Sequence, residues 1–133
     1  MLYVTDTHPL VYFSTGRTRK LGQRARRAFQ QAVRGRGHIV IPITVLEEIL
    51  RLSEIGRVRL KLPLRELVSQ YQQQGGSFSV QDYGVDILLA VEQFPAIRDP
   101  FDRVIVATAH TLGYPLITHD GFLQDHQFVQ TVW

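Results

Sequence analysis

The sequence predicts an α/β fold built on a central, mostly parallel sheet, and three observations predict it. Short apolar, β-branched runs alternate with longer segments whose apolar residues recur at helical spacing, the pattern of βαβ units. Two of the strand-like runs are followed closely by an aspartate. A third acidic segment, Arg98-Asp99-Pro100-Phe101-Asp102-Arg103, opens a long apolar helix pattern. In open α/β sheets, ligands gather beyond the carboxyl ends of the strands, so acids spread along the chain are expected to converge.

The elements follow in order. Leu2 to Val4 reads as a buried strand, and Asp6-Thr7-His8-Pro9 as a helix start with proline in the first turn, where its missing N–H costs nothing. That helix ends near Gly16. Leu21, Ala25, Ala28, Phe29, Ala32 and Val33 form the apolar stripe of a second helix, closed by Gly35 and Gly37. His38 to Ile41 is a second buried strand. Thr44 then starts a helix carrying Val45, Leu46, Ile49 and Leu50, and Gly56 stops it. A helix from Pro63 buries Leu64, Leu67, Val68 and Tyr71, and Gln72 to Gly76 forms a loop before a weak strand at Ser77 to Val80. Asp82 is expected to cap a helix running to Phe94, where Pro95 ends it. Asp99 caps the next, with Pro100 at its first position and Gly113 as its stop. Tyr114 to Thr118 is a strand, and Phe128 to Trp133 a short edge strand.

A length of 133 residues suits one domain, residues 1–133, with a single core. No apolar run reaches the roughly 20 residues of a membrane span and no signal-peptide pattern opens the chain, so a cytoplasmic protein without membrane contact is expected. The chain has no cysteine, which removes disulfides, thiolate metal sites and cysteine nucleophiles. The net charge of +3 is unevenly spread. Between Asp6 and Glu47 there is no acid, while Arg17, Arg19, Lys20, Arg24, Arg26, Arg27, Arg34 and Arg36 crowd the interval. This flank reads either as a phosphate-contact surface or as a solvated helix face.

A strand leading to Asp6, a Thr-x-x-Glu helix start at Thr44, the Asp99-Pro100-Phe101-Asp102-Arg103 segment and Thr118-His119-Asp120 together resemble a PIN domain. More narrowly, the chain is similar to VapC-type toxins, and the similarity runs from Leu2 to Trp133. The resemblance implies a three-layer α/β/α domain. It implies Asp6, Glu47, Asp102 and Asp120 as carboxylates holding Mg²⁺ or Mn²⁺, with Asp99 as an accessory catalytic acid; the choice between Glu47 and Glu48 stays open. It also implies an endoribonuclease that cuts RNA by water attack, leaving a 5′-phosphate, and that a cognate VapB-type antitoxin restrains. Homodimers, and promoter DNA bound only through the antitoxin, belong to the same implication.

The chemistry is intelligible without the family. Clustered carboxylates repel, so they need protons or a cation, and hard oxygen donors favour Mg²⁺ or Mn²⁺ over zinc. Thr7 and Thr118 are placed to hydrogen-bond a carboxylate or a phosphate, and Arg103, Arg24, Arg26 and Arg27 to contact RNA. Each acid has a competing structural role. Thr44 to Glu47 is also a capping box, Asp6, Asp99 and Asp102 suit caps, and Asp120 suits a turn. A PIN-like RNA-binding or scaffold subunit without catalysis is therefore the alternative reading. A haloacid-dehalogenase phosphatase is disfavoured because Asp6-Thr7-His8 lacks the second acid, and a receiver domain because no lysine follows a suitable strand. His8 reads as packing or capping near the site, His119 as an exposed loop residue, and Tyr12 and Phe13 as core packing more readily than as base-stacking rings.

Overall fold

In the computed structural model, which describes residues 1–73 and 75–133, five strands form one all-parallel sheet: β1 (Leu2–Thr5), β2 (His38–Pro42), β3 (Phe78–Gln81), β4 (Leu116–Ile117) and β5 (Thr131–Val132). Their spatial order is β3-β2-β1-β4-β5. The sheet is the middle layer of an α/β/α arrangement. From β1 the chain builds outward through β2 to β3, then returns to the other side of β1 to lay down β4 and β5. The direction of winding therefore reverses between β1 and β4.

Seven helices connect or follow the strands: α1 (Thr7–Ser14), α2 (Gln23–Val33), α3 (Ile43–Glu54), α4 (Leu64–Tyr71), α5 (Val85–Val91), α6 (Pro100–Leu112) and α7 (Gly121–His126). A short 3₁₀ turn, Thr18–Lys20, precedes α2. The central strands bury Val4, Ile39, Ile41, Leu116 and Ile117 completely, as expected of parallel strands covered on both faces. The edge strand β3 stays half-exposed along its whole length. Phe29 from α2 stacks on Phe13 from α1, with ring centroids 4.7 Å apart, and Ile105 and Val106 carry α6 into the same core.

Several boundaries differ from expectation, each for a physical reason. The third helix begins at Ile43 with Pro42 in the cap position, so Thr44 lies inside it. Its hydroxyl is buried without a partner and makes no capping box. Asp82 caps nothing: α5 starts at Val85 after an extended Gly84 and ends at Val91, short of Phe94. Strand β4 is shorter than the run Tyr114 to Thr118, because Tyr114 N–H closes the end of α6 on Ala109 and Pro115 has no N–H to give. Val33, at the last position of α2, is 65% exposed rather than part of the core stripe. Helix α7 is unannounced by periodicity because it spans only six residues. Of the expected Gln72 to Gly76 loop, Gln74 lies outside the described residues.

Ile105 is fully buried, so Ile105→Ala is expected to lower unfolding free energy by about 2–5 kcal/mol in urea denaturation, with the slope of the transition unchanged.

Candidate active site

The reversal between β1 and β4 is the topological switch point of the sheet, where such folds offer a crevice at the strand carboxyl ends. Asp6 follows β1 directly, and Thr118 follows β4. The buried Thr118 hydroxyl donates to Asp6 Oδ2 at 2.7 Å, and Thr7 N–H donates to Asp6 Oδ1 at 2.8 Å, so Asp6 both spans the switch and caps α1. Thr118 also accepts from Asp120 N–H at 3.1 Å, fixing the turn that brings Asp120 back to the crevice.

Around Asp6 a cavity of about 330 Å³ is lined by Glu48, Asp99, Asp102 and Asp120, together with His8, Tyr12 and His119. Two acids enter on α6. Asp99 caps it, accepting from Asp102 N–H at 3.0 Å, and Asp102 sits in its first turn. Asp120 caps α7 by accepting from Leu123 N–H at 3.0 Å. Glu48 enters from α3, and its carboxylate accepts a hydrogen bond from the Thr7 hydroxyl. A larger cavity of about 710 Å³ lies elsewhere, lined by Phe13, Leu60, Tyr71 and Phe78 among others and by no carboxylate. Its size does not make it the acidic site, because its ionisable lining is Arg59, Lys61 and Tyr71, with no carboxylate to hold a hard cation.

Of the residues expected from sequence, Asp6, Asp99, Asp102 and Asp120 share one cavity. Glu47 does not. It is 54% exposed and faces Arg51 at 4.0 Å, one turn along α3. Glu48 takes the inward position, since consecutive helical residues point about 100° apart and the buried Thr44 lies one turn before it on the same face. Thr7 and Thr118 meet carboxylates, as noted. Arg24 and Arg27 are exposed on α2. Arg26 donates from Nε to the Thr18 carbonyl at 3.1 Å and from Nη2 to the Leu21 carbonyl at 3.2 Å, so it braces the 3₁₀ turn while keeping its charge. Arg103 likewise donates through Nε to the Val91 carbonyl at 3.0 Å, tying α6 to α5. The signal that sequence reading missed is His119, whose ring lies parallel to that of Trp133 at 4.5 Å.

The acids raise one another's proton affinity. Burial pushes the Asp6 carboxyl up, against the opposing pull of its bonds from Thr118 and Thr7. Burial raises Glu48 too, with Asp6 and Asp99 adding to it. Asp102 is pushed up to about 8 from an ordinary 3.8, first by burial and then by Asp6, Asp99, Asp120 and Glu48. The amino end of a helix favours a carboxylate there, yet repulsion and desolvation win. Among the described residues no cationic side chain pairs with Asp102.

Hard carboxylate oxygens in a half-buried pocket fit Mg²⁺ or Mn²⁺ by the chemistry of the donor set. Among the described residues, no three acidic or imidazole side chains close on one point as a ready-made ligand shell. Mg²⁺ keeps several waters and needs only one or two carboxylates from a protein. Asp6, Asp102, Glu48 and Asp120 are the residues positioned to serve.

A PIN domain family profile matches residues 3–128. Ribonuclease VapC22 of Mycobacterium tuberculosis (strain ATCC 25618 / H37Rv) is 28% identical over 114 residues, covering 84% of this chain and 86% of that protein. Among solved structures, a chain of VapBC2 from Rickettsia felis, crystallised with a DNA fragment from its promoter, superposes with a TM-score of 0.68 at 13% identity, covering 99% of this chain and 98% of the other. A chain of DNA-bound VapBC from Salmonella typhimurium gives a TM-score of 0.64 at 18% identity, again over 99% and 98% of the two chains. These likenesses are to the fold.

Asp6, Glu48 and Asp102 all hold protons more tightly folded than unfolded, so the folded chain binds more protons between the two sets of values. Stability of the metal-free protein is therefore expected to fall as pH rises from 3.8 through about 8, the opposite of the usual carboxylate trend. Urea midpoints in chelator at a series of pH values check this, and Asp102→Asn should flatten the upper part of the slope.

Proposed function

The chain belongs to the PIN domain family, and on that footing we propose that it is a metal-dependent endoribonuclease of the VapC type, hydrolysing RNA phosphodiester bonds at the acid-lined crevice. The observation that carries this reading is Asp102. Helix capping accounts for Asp6, Asp99 and Asp120, each of which accepts a backbone N–H at a helix start. It accounts for neither Asp102 nor Glu48, whose half-buried carboxylates are held against like charge at a cost that folding alone has no use for. A bound divalent cation relieves that cost, which supports catalysis over the scaffold alternative.

Mg²⁺ or Mn²⁺, when bound, neutralises the anionic phosphodiester and lowers the pKa of water so that hydrolysis proceeds near neutral pH. The side chains set the stage. Asp6 is the fixed element, its two oxygens oriented by Thr118 and by Thr7 N–H while each retains a free lone pair. The Thr7 hydroxyl holds Glu48 in the same way, so one short segment, Asp6-Thr7, orients two carboxylates. Asp102 and Asp120 complete the acidic wall, with Asp99 at its exposed rim. The proposed product carries a 5′-phosphate. No side chain needs to act as a nucleophile.

Exposed Arg24 and Arg27 on α2 are proposed to draw RNA in through its phosphates. Residues 1–133 are read as one such domain, supported by one continuous buried cluster. The VapBC structures that share this fold support a VapB-type antitoxin as partner; a homodimeric toxin, and promoter DNA reached only through the antitoxin, are proposed alongside it. No helix among the described residues is long and apolar enough to cross a membrane, which is compatible with a cytoplasmic site of action.

Purified protein should cut RNA in Mg²⁺ and stop in chelator, and Asp6→Asn or Asp102→Asn should abolish cleavage while leaving the circular dichroism spectrum intact. Cleavage surviving both substitutions would remove the catalytic reading in favour of a scaffold. Thr118→Val is expected to cost about 10–100-fold in activity, as loss of a ligand's supporting hydrogen bond does. Glu48→Gln should impair cleavage and Glu47→Gln leave it unchanged, measured on one RNA under identical conditions.

A further inference from the structure

We infer that His119, which lines the acid-lined cavity and is backed by Trp133, is a stacking platform for a base of single-stranded RNA beside the scissile phosphate; this rests on the ribonuclease reading. His119 lines the cavity and is exposed, and its ring lies parallel to that of Trp133, with centroids 4.5 Å apart and 10° between the planes. Trp133 backs one face of the imidazole, and a base laid on the other would continue the stack.

The platform is anchored. Trp133 is half-buried against Gly22, where a Cβ would stand 2.5 Å from the Trp133 carbonyl carbon and 2.6 Å from ring atom Cδ1, so glycine is what permits the approach. Arg24 N–H donates to the Trp133 carbonyl at 3.3 Å. The same close contact that fixes the indole thus places it beside the amino end of the arginine-rich helix. Tyr12 contributes a second ring to the cavity lining, and Lys20 Nζ lies 5.4 Å from its centroid. Aromatic rings and a cation thus stand at the same cavity as the carboxylates. The proposed hydrolysis draws on the carboxylates, the cation they would hold and water, and has no use for aromatic rings; rings with cations near them are what an unpaired strand engages, its bases stacking while its phosphates meet lysine and arginine. A duplex keeps its base faces covered and offers nothing to such a platform.

Trp133 is the only tryptophan in the chain, so its fluorescence reports on the platform directly. In full-length Asp102→Asn protein with Mg²⁺, titration with a short single-stranded RNA should quench Trp133, and the same sequence as a blunt duplex should not. Adding His119→Ala, at an exposed position that folding tolerates, should weaken single-strand binding on the order of tenfold and diminish the quench, while His119→Phe, which keeps a flat ring, should restore the affinity. In the otherwise wild-type enzyme, His119→Ala should raise KM with little change in kcat. Equal affinity of parent and His119→Ala for the single strand, or equal binding of the duplex, would overturn the platform. Cleavage by wild type with KM unmoved by His119→Ala would sink the platform and leave the ribonuclease standing. Ring-dependent binding by a wild-type protein that cuts nothing would do the reverse.

Discussion

Negative charge gathered at one cavity, with no lysine or arginine among the described residues of its lining, is the constraint on which this molecule turns. Five carboxylates line a cavity at the switch point of the sheet, and the Thr118 hydroxyl joins the end of β4 to the Asp6 carboxylate at the end of β1. That bond is short and buried, and it connects residues 112 positions apart. It settles the two central strand ends against each other and aims Asp6 at the same time. Among the described residues the sole ion pair, Glu47 with Arg51, lies outside the cavity on the surface, where such pairs contribute little. The fold therefore builds the charge cluster at helix starts and strand ends, where protons or a bound cation are what can relieve it.

Structure and chemistry share atoms here instead of competing for them. Asp6, Asp99 and Asp120 each close the exposed amino end of a helix, which gives each carboxylate a fixed direction with lone pairs to spare. Three helix starts aimed at one crevice supply three oriented acids. Glu48, arriving from within α3, needs the Thr7 hydroxyl to hold it. Asp102 alone has no hydrogen-bond donor of its own among the described residues, and burial and its acidic neighbours push it up to about 8 with no such bond to oppose them.

How much of this was legible in the sequence depended on whether the signal was local. Asp6, Asp99 and Asp102 could be read because a strand followed by an acid, or Asp-Pro before an apolar stripe, is punctuation confined to a few residues. The order of parallel units followed from alternation alone. Glu47 against Glu48 could not be read, because a one-residue shift turns a helical side chain from solvent to cavity. The shift was decided by packing: Thr44 went inside even though its hydroxyl lost its partners. Arg26 and Arg103 looked unengaged because the carbonyls they donate to lie several residues or one helix away. His119 and Trp133 meet only because β4 and β5 are neighbours, a fact of strand order that no local pattern carries.

The order of strands also sets a schedule. β1 leaves the ribosome well before its partner on one side, β4, with Val4 paired to Leu116 and Thr5 to Ile117. Contacts of such long sequence separation form late in folding, and parallel pairings are slow. A nascent chain that has released Asp6 and Glu48 but not Thr118 has neither the bond that aims Asp6 nor the second side of the crevice. The crevice therefore exists only in a chain whose β4 is already paired with β1, however early Asp6 itself is in place.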